Sequence, residues 1–395
     1  MTNTKISDFD QISQGPSLFK NKESFNFDYV PPKLYPRPEA RQLFYNLASF
    51  VKYKVPDHTL LLGFPGTGKT ATINFLTKEE LTKYEEIEVK YINCRYFDTT
   101  HKVVCYLACL KKAGIPTNEA LNIFFKNQTK NILIVFDEID KLDSLPFQKE
   151  KSNLLYYLSR PGEITNNSFK HKIQMVLISN NMSWHKELYA NDPATFSSLQ
   201  LSKIVFSQYN LNDIYQILKL KSQEAVIDSC YDMEALQYIA KLVSDETHGD
   251  TRVAIMILKF AVQYLEFNNL DKITPHIIKK VYSQAIMEVE REAIKKLPDS
   301  VLKILYSCAI TPKEINAANE IYSRIYTPLC REKLKEEPLT YTQFWNHLGY
   351  LVSINLITTE LEKEGRTRVK KVYLKTSKEV VAAIFEDTIQ RGMIT

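Results

Sequence analysis

The chain has 395 residues, of which 44% are hydrophobic and 25% are charged, an ordinary composition for a soluble globular protein. This length predicts two or three domains, because single hydrophobic cores seldom grow beyond about 250–300 residues. Six cysteines are too few for a disulfide scaffold, and no apolar run approaches the roughly 18 residues of a membrane span. The N-terminus also lacks the apolar core of a secretory signal, so we expect a cytoplasmic protein without a membrane partner.

The predicted elements follow a polar, aperiodic stretch over residues 1–28, which we expect to form a flexible lead. The proline-rich residues 28–38 favour extended chain, because proline disfavours helix in the residue before it. A helix is predicted from Glu39, and residues 210–290 favour helices only. Between them, apolar runs that alternate with amphipathic helices predict five strands: His58–Leu62, Ile87–Cys94, Asn131–Phe136, Gln174–Ser179 and Lys203–Phe206. This alternation predicts an α/β fold with a parallel sheet covered on both faces.

The strongest motif is a glycine-rich loop at residues 63–70, GFPGTGKT, which fits the pattern G-x-x-x-x-G-K-[ST]. Glycines let the backbone turn successive N–H groups toward phosphate oxygens. The Lys69 ammonium is predicted to reach the β- and γ-phosphates, and the Thr70 hydroxyl is predicted to ligate Mg²⁺. The alternative is a chance glycine turn, and the apolar strand before the motif and the helix after it argue against that.

Polar side chains follow two of the buried strands at their carboxyl ends, where open α/β sheets bind ligands. Asp137 is predicted to hold the Mg²⁺ shell, and Glu138 is predicted to polarise the attacking water. Asn180 follows the next predicted strand, and its amide is placed to hydrogen-bond the γ-phosphate or the water. The alternatives are a surface acidic turn for the two carboxylates and a helix cap or turn for Asn180.

With these motifs in this order, the chain resembles AAA+ ATPases. More narrowly, it resembles the archaeal initiators related to the origin recognition complex and to the cell division control loading factor. The resemblance implies a parallel-sheet P-loop core over residues 29–206, an all-helical lid over 207–292 and a C-terminal winged-helix domain over 293–395. It is carried by the segments Asp28–Pro31, Pro36–Glu39, Gly66–Thr72, Asn93–Arg95, Phe136–Leu142, Ile178–Asn181, Ile204–Phe206, Tyr209–Asn210 and His248–Arg252.

The same resemblance implies ATP and Mg²⁺ as cofactors and gives roles to individual residues. Asn180 is implied as the first sensor, and Arg252 as the second sensor, which reaches the γ-phosphate from the lid. Tyr209 and Lys221 fall on lid positions that flank the nucleotide, and arginine is usual at the second of them. We therefore expect a weaker, point-charge contact from Lys221. The expected catalytic residues are Lys69, Glu138, Asn180 and Arg252, and the expected binding loop is Gly66, Thr67, Gly68, Lys69, Thr70 and Ala71.

Two departures from the family pattern carry expectations of their own. The stretch 192–199 has Ala194 and Phe196 where the family usually has arginines that act on a neighbouring subunit's ATP. We therefore expect this chain to bind ATP without completing a neighbour's site. The family's DNA-contacting insertion belongs near residues 114–119, and this version is short, so we expect little DNA contact from it.

A capping box, Thr340-x-x-Gln343, predicts the start of a helix in the last quarter of the chain. Its apolar residues are predicted to form one buried stripe: Phe344, Leu348, Leu351 and Val352. In helix-turn-helix proteins the start of the second helix enters the major groove, where Gln and Asn can make bidentate contacts with adenine. The residues expected on the DNA-facing side are Tyr341, Thr342, Gln343 and Asn346.

The positive charge of the chain is concentrated near its C-terminus. The net charge is +5, and residues 291–395 hold 17 Lys and Arg against 13 Asp and Glu. Residues 363–378 alone hold seven bases and one acid, which is an electrostatic footprint for nucleic acid. The alternatives are a solvated hairpin and a winged helix that docks on protein. A basic wing with Gly365 at its tip is predicted to contact DNA through Arg366, Arg368, Lys370 and Lys371.

The family resemblance, with the phosphate motifs and the basic wing, implies an ATP-dependent DNA replication initiator that binds origin duplex DNA. The resemblance alone implies that it helps recruit or load the replicative helicase. Hydrolysis is expected to be slow, with ATP marking a state, and the protein is expected at the nucleoid with paralogous initiator subunits as further partners. One alternative is a regulatory DNA-binding paralogue that does not load helicase. A generic AAA+ remodelling or clamp-loading ATPase is the other, and the basic wing argues against it.

Overall fold

The computed structural model describes residues 17–110, 114–142, 148–247, 249–312, 314–354, 356–364 and 367–390. The chain divides into two compact units, residues 1–280 and residues 281–395. The finer boundaries expected at residues 206 and 292 stay predictions. Within the described ranges, no helix has both the length and the apolar character needed to cross a membrane.

The first unit is built on a sheet of five parallel strands in the order β2-β3-β4-β1-β5. All five predicted strands are present within one residue at each end. The strands are β1 Thr59–Gly63, β2 Ile87–Asn93, β3 Asn131–Asp137, β4 Ile173–Ser179 and β5 Ser202–Phe206. The helices around them are α1 Pro38–Tyr53, α2 Lys69–Phe75, α3 Thr100–Leu107, α4 Thr117–Asn127, α5 Gln148–Ser159, α6 Pro161–Thr165, α7 Trp184–Asn191 and α8 Pro193–Leu199.

Both faces of this sheet are buried, as the continuous apolar strands predict. Alternate residues of β1 belong to different hydrophobic clusters: Leu60 and Leu62 pack with one, and Leu61 packs with the other. The first cluster includes residues of α3, α4 and α5, and the second includes residues of α1 and α2. The predicted α/β layering is therefore confirmed.

Residues 17–28 are not the flexible lead that their polarity predicts. Phe19 forms an antiparallel bridge with Val226, and the Lys20 amide donates to the Ala225 carbonyl at 2.9 Å. Phe25 is 1% exposed and stacks edge-on against Phe19. These backbone and side-chain contacts anchor the segment, so the prediction of a flexible lead is wrong over residues 17–28. Residues 1–16 lie outside the described residues.

The rest of the first unit is helical, as predicted: α9 Leu211–Ala225, α10 Met233–Glu246, α11 Thr251–Asn268 and the start of α12 Pro275–Lys295. Short polar side chains cap three of these helices, because each satisfies a free backbone N–H of the first turn. Asn210 forms a capping box with Asp213 at α9, Asp232 caps α10, and Asp250 caps α11.

The second unit combines helices with one antiparallel hairpin. Its helices are α13 Asp299–Ile310, α14 Ala318–Glu320, α15 Tyr341–Ser353 and α16 Lys378–Gln390, and its strands are β6 Ile357–Glu364 and β7 Thr367–Leu374. Wider, π-helical turns continue α14 through Ile321–Tyr326 and Leu329–Leu334. The predicted capping box is present at α15, and Phe344, Leu348 and Leu351 are fully buried there. Val352 is 36% exposed, so its place in the buried stripe was predicted wrongly. The hairpin tip at Gly365 lies outside the described residues.

Candidate functional site

The strand order brings the predicted nucleotide residues to one edge of the sheet. Strands β3, β4 and β1 are neighbours, so their carboxyl ends lie side by side. Asp137 ends β3, Asn180 follows β4, and the glycine-rich loop follows β1. Asn180 is half-buried at this edge. Three motifs that are far apart in the sequence are thus adjacent in the fold.

The glycine-rich loop has the backbone geometry that its sequence predicts. Gly66 and Gly68 adopt φ values of +79° and +82°, which only glycine adopts without strain. The Thr67 hydroxyl donates to the Phe64 carbonyl at 2.7 Å. The Lys69 ammonium is buried and donates to the Gly63 and Phe64 carbonyls at 2.8 and 3.0 Å. Burial lowers the pKa of Lys69 to about 8, and the Asp137 carboxylate opposes that shift.

Two hydroxyl groups converge on the carboxylate of Asp137. The Thr70 hydroxyl donates to Asp137 Oδ2 at 3.1 Å, and the Tyr91 hydroxyl donates to the same oxygen. Burial raises the pKa of Asp137, and the hydrogen bonds from Tyr91 and Thr70 oppose the shift. The hydroxyl of Thr70 and the carboxylate of Asp137 lie within hydrogen-bonding distance of each other. Both are hard oxygen ligands of the kind that Mg²⁺ prefers, so this pair fits that ion. Tyr91 lies in the middle of β2, where no local sequence pattern marks it as a residue of this site.

Glu138 is held by an arginine from the neighbouring strand's end. It adopts φ +57°, an uncommon conformation for a residue with a side chain, and its carboxylate forms an ion pair with the Arg95 guanidinium. Burial raises the pKa of Glu138, and the charge of Arg95 opposes that shift. Arg95 lies close because β2 and β3 pair with Asn93 opposite Asp137. The arrangement presents a half-buried carboxylate beside the glycine-rich loop.

The start of α11 contacts the glycine-rich loop directly. The Thr251 hydroxyl donates to the Gly66 carbonyl at 3.0 Å. Asp250 lies so close to Gly66 that a Cβ there would be 2.6 Å from Asp250 Cγ. The Asp250 carboxylate also accepts hydrogen bonds from the Arg252 guanidinium at 2.9 and 2.5 Å. Arg252, the predicted second sensor, is therefore brought to the loop by Asp250, which the motif search did not assign.

The two other predicted lid residues have different surroundings. The Tyr209 hydroxyl faces Gly68, where a Cβ would collide with it. The Lys221 ammonium donates to the Ser24 carbonyl at 3.0 Å and to Glu224 at 3.1 Å. Burial lowers the pKa of Lys221, and Glu224 opposes the shift. The structure thus brings Tyr209 to the glycine-rich loop, whereas the hydrogen bonds of Lys221 tie α9 to residues 17–28.

Arg37 links three segments around the site and had no predicted role. Its guanidinium donates to the Thr67 carbonyl at 2.7 Å and to the Ser207 carbonyl at 2.9 Å. It also lies 4.4 Å from the centre of the Tyr209 ring and pairs with Glu39 at 2.6 Å. Burial alone would raise the pKa of Glu39, but the hydrogen bonds from Arg37 and Ser207 outweigh it and lower that pKa to about 2. In the sequence, the feature that could have drawn attention to Arg37 is its position between two prolines, Pro36 and Pro38.

Residues 192–199, where the family usually has arginines, form α8 and the residue that caps it, and Ala194 is exposed there. Phe196 is half-buried, and its ring packs edge-on against Tyr189 with the centroids 5.4 Å apart. At the expected insertion, residues 114–116 lead directly into α4, and residues 111–113 lie outside the described residues. Among the described residues, neither α8 nor residues 114–119 supply a lysine or an arginine.

The second unit exposes the predicted side chains of α15. Tyr341, Thr342, Gln343 and Asn346 are all exposed, and Gln343 Oε1 accepts from the Thr340 amide at 3.0 Å as part of the capping box. On the hairpin, the Lys371 ammonium forms an ion pair with Glu362 at 3.1 Å. Lys370 lies over the ring of Trp345, 4.3 Å from its centre. Of the other predicted wing residues, Arg366 and the side chain of Arg368 lie outside the described residues.

Three parts of the chain match known domain families. The family model of the ATPase family associated with various cellular activities matches residues 59–188. The Cdc6 AAA+ ATPase-type lid domain matches residues 215–283, and the CDC6 C-terminal winged helix domain matches residues 292–383. The chain is therefore an AAA+ ATPase, a nucleotide-binding protein, with a helical lid and a C-terminal winged helix, and the predicted fold class is confirmed.

Relatives of known name narrow this class. The ORC1-type DNA replication protein of Thermococcus kodakarensis is 30% identical over 98% of this chain and 95% of its own length. The chain belongs to this family of replication initiators, which confirms the resemblance. The Aeropyrum pernix ORC1 protein, solved in complex with DNA, shares the fold with a TM-score of 0.71 and 24% identity over 95% of this chain and 99% of that one. The Aeropyrum pernix ORC2 protein, solved with ADPNP and ADP, matches at 0.58 and 21% over 96% and 100%.

Proposed function

We propose that this chain is an ATP-controlled initiator that binds origin duplex DNA through its winged helix and helps recruit or load the replicative helicase. One observation carries the proposal. The capped start of α15 exposes Tyr341, Thr342, Gln343 and Asn346 beside a hairpin rich in bases. Membership of a family named for DNA replication supports it. On this proposal the protein works at the nucleoid, in the cytoplasm.

The amino end of α15 is suited to a major groove. Its exposed side chains include an amide at Asn346 and hydroxyls at Tyr341 and Thr342, which can hydrogen-bond base edges. The buried stripe of the same helix fixes which face is presented. Basic residues of the hairpin would then contact phosphates, which fix register and orientation without reading sequence.

The residues at the carboxyl edge of the sheet fit ATP with Mg²⁺. The backbone of Gly66, Thr67, Gly68 and Ala71 would hold the phosphates, and Lys69 would neutralise them. Thr70 and Asp137 would hold the Mg²⁺ ion, which supplies charge neutralisation at the transferring phosphoryl group. Glu138 would orient the water, Asn180 and Arg252 would contact the γ-phosphate, and Tyr209 would line the nucleotide together with Lys221.

The direct contacts between α11 and the loop support a role for ATP as a switch. Thr251 and Asp250 lie against Gly66, so a group bound at the loop and the position of α11 are linked energetically. Arg95 holds Glu138 in an ion pair, which restrains the carboxylate that would orient water. We therefore expect slow hydrolysis, with the bound nucleotide marking the state of the protein.

Duplex binding across salt concentrations tests the DNA-binding part of the proposal. The logarithm of the association constant should fall linearly with the logarithm of salt, by about 0.9 per phosphate contacted. An Arg366→Gln/Arg368→Gln variant should therefore have a slope shallower by about 2. Lys333→Gln removes an exposed lysine elsewhere in the second unit and is the matched control. The absence of salt-sensitive duplex binding by the wild type would contradict the proposal.

A second pair of measurements tests the switch. Glu138→Gln should bind ATP with wild-type affinity and lose hydrolysis, because the amide keeps the shape and loses the basic oxygen. Single-turnover hydrolysis by the wild type should take minutes, and duplex affinity should differ between ATP and ADP. Rapid hydrolysis by the protein alone, with equal duplex affinity for the two nucleotide states, would argue against a switch.

Helix α8 favours a second candidate, a regulatory paralogue that binds origins without loading helicase. Ala194 and Phe196 have no charge to offer a neighbour's ATP. The two candidates differ when this chain is mixed with an arginine-bearing paralogue and the helicase. Stimulated hydrolysis or helicase recruitment supports the initiator, whereas an origin footprint without either supports the regulator.

A further inference from the structure

One of the two tryptophans of the chain is exposed on the helix proposed to enter DNA. Trp184 lies in the core of the first unit and is 4% exposed, whereas Trp345 on α15 is 36% exposed. Trp345 lies one turn after Tyr341, with the ring centroids 6.1 Å apart. It was not among the predicted DNA-binding residues. The apolar residues of the buried stripe lie beside it in the sequence, whereas the Trp345 ring itself is partly exposed.

The ring of Trp345 meets a lysine of the hairpin. Lys370 lies opposite Leu361 in the antiparallel register, on the same strand face as the buried Val372, so its side chain is on the face nearer the helices. Its ammonium lies 4.3 Å from the centre of the Trp345 ring. Among the described residues Lys370 has no carboxylate partner. The adjacent Lys371 differs, since it is paired with Glu362.

We propose that Trp345 is a positioning residue for DNA binding, whose ring holds the Lys370 ammonium at the junction of α15 and the hairpin to meet a backbone phosphate. The inference rests on the proposed DNA-binding function. If α15 enters the major groove and the hairpin the adjacent minor groove, the phosphate chain between the two grooves runs past this junction. The Lys370 ammonium lies at this junction, against the Trp345 ring.

An aromatic ring suits this task better than a carboxylate. A carboxylate would hold the lysine equally well, but it would neutralise the charge and repel the phosphate. The face of an indole attracts a cation through its quadrupole and carries no net charge. Holding a long side chain in place also lowers the rotamer entropy lost on binding. Trp345 therefore fixes the direction of Lys370 and leaves its charge available.

A double-mutant cycle on duplex affinity tests the inference in the full chain. Lys370→Gln should make the salt slope shallower by about 1, because one phosphate contact is lost. Trp345→Leu should weaken duplex binding about two- to tenfold, because the Lys370 side chain must then be ordered on binding, at about 0.5–1.5 kcal/mol. In the Lys370→Gln background, Trp345→Leu should have almost no further effect. Trp345→Phe keeps a ring and a packed side chain, so it should retain part of the affinity even if the leucine variant folds poorly.

A matched control and an optical readout complete the test. The Lys333 ammonium lies 5.6 Å from the Tyr306 ring elsewhere in the second unit, and Lys333→Gln should leave duplex affinity and salt slope unchanged. Indole fluorescence should change when duplex is added to the wild type. It should not change in Trp345→Phe, which retains only the buried Trp184.

Three results separate the possible outcomes. An equal loss from Trp345→Leu with and without Lys370 overturns the inference, because the ring would then act on DNA by itself. Wild-type affinity in Trp345→Leu also overturns it, while salt-sensitive binding that depends on Arg366 and Arg368 would leave the proposed function standing. Absence of duplex binding by the wild type and by Lys333→Gln alike overturns both.

Discussion

Gly66→Ala tests whether α11 rests directly on the glycine-rich loop. Gly66 has φ +79°, and a Cβ at this position would lie 2.6 Å from Asp250 Cγ, closer than atoms of a real side chain approach. Asp250 also caps α11 and orients the Arg252 guanidinium. An alanine here must therefore displace Asp250, and with it the predicted contact of Arg252 to the γ-phosphate.

The expected effects divide between stability and binding. Alanine in the left-handed region costs about 1–2 kcal/mol, and this strain lowers the free energy of unfolding with or without nucleotide. Loss of the Asp250 cap costs about 1 kcal/mol, and a hydrogen bond to a charged group such as Arg252 is worth about 1.5–3 kcal/mol. ATP affinity should therefore fall by about tenfold to a hundredfold, whereas ADP, which lacks the γ-phosphate, should lose about fivefold or less.

Calorimetric titration with ATP and ADP measures both affinities, in a Glu138→Gln background that prevents hydrolysis. The matched control is Gly114→Ala. Gly114 has φ +99°, but no atom of the described residues lies within 4 Å of a Cβ placed there. That variant carries the backbone strain alone, so it should lose stability and keep both affinities. Unchanged ATP affinity in Gly66→Ala would refute the reasoning. Equal losses for ATP and ADP would assign the effect to the loop instead of Arg252.

Three further predictions concern stability. His58 is buried, its Nδ1 accepts from the Met175 amide at 3.1 Å, and burial lowers its pKa from 6.5 to about 4. On acidification the imidazole is therefore protonated in the unfolded chain before it is protonated in the folded protein. About 3 kcal/mol of the free energy of unfolding is lost between pH 6.5 and about 4. Urea unfolding at several pH values should show a smaller loss in His58→Asn. Phe25→Ala should lower the free energy of unfolding by about 3–5 kcal/mol, and a negligible change would mean that residues 17–28 are not part of the core. Gly349 lies inside α15, and no atom of the described residues lies within 4 Å of a Cβ placed there. Gly349→Ala should therefore stabilise the second unit by up to about 1 kcal/mol, seen as a higher melting temperature.

The sequence was sufficient for the strands because buried parallel strands are continuous apolar runs. Residues 131–136 carry that signal at full strength, and the structure ends β3 one residue later. The spatial order β2-β3-β4-β1-β5 has no such local signal. It depends on which strands pair, and pairing is decided by the packing of whole layers. That order is what brings Asp137, Asn180 and the glycine-rich loop together.

The site divides in the same way between local and distant contributions. Lys69, Thr70 and Asp137 could be predicted because their roles follow from motif spacing. Tyr91, Asp250 and Arg37 reach the site from other segments, so no short window of sequence contains them together with the glycine-rich loop or Asp137. Tyr91 donates to Asp137 across 46 positions, and Arg37 reaches Thr67 across 30. Contacts of this kind appear only when the chain is folded.

The basic hairpin shows why a count of charges overstates a binding surface. By sequence, Lys370 and Lys371 are equal members of a run of seven bases. Successive strand residues point to opposite faces, and the register sets Lys371 opposite Glu360 and Lys370 opposite Leu361. The acids on the first of these faces compensate its lysine, through the Glu362 ion pair in particular. On the other face, Lys370 lies against Trp345 of α15 and has no carboxylate partner among the described residues. The face of Lys370 is therefore the one we expect to meet DNA.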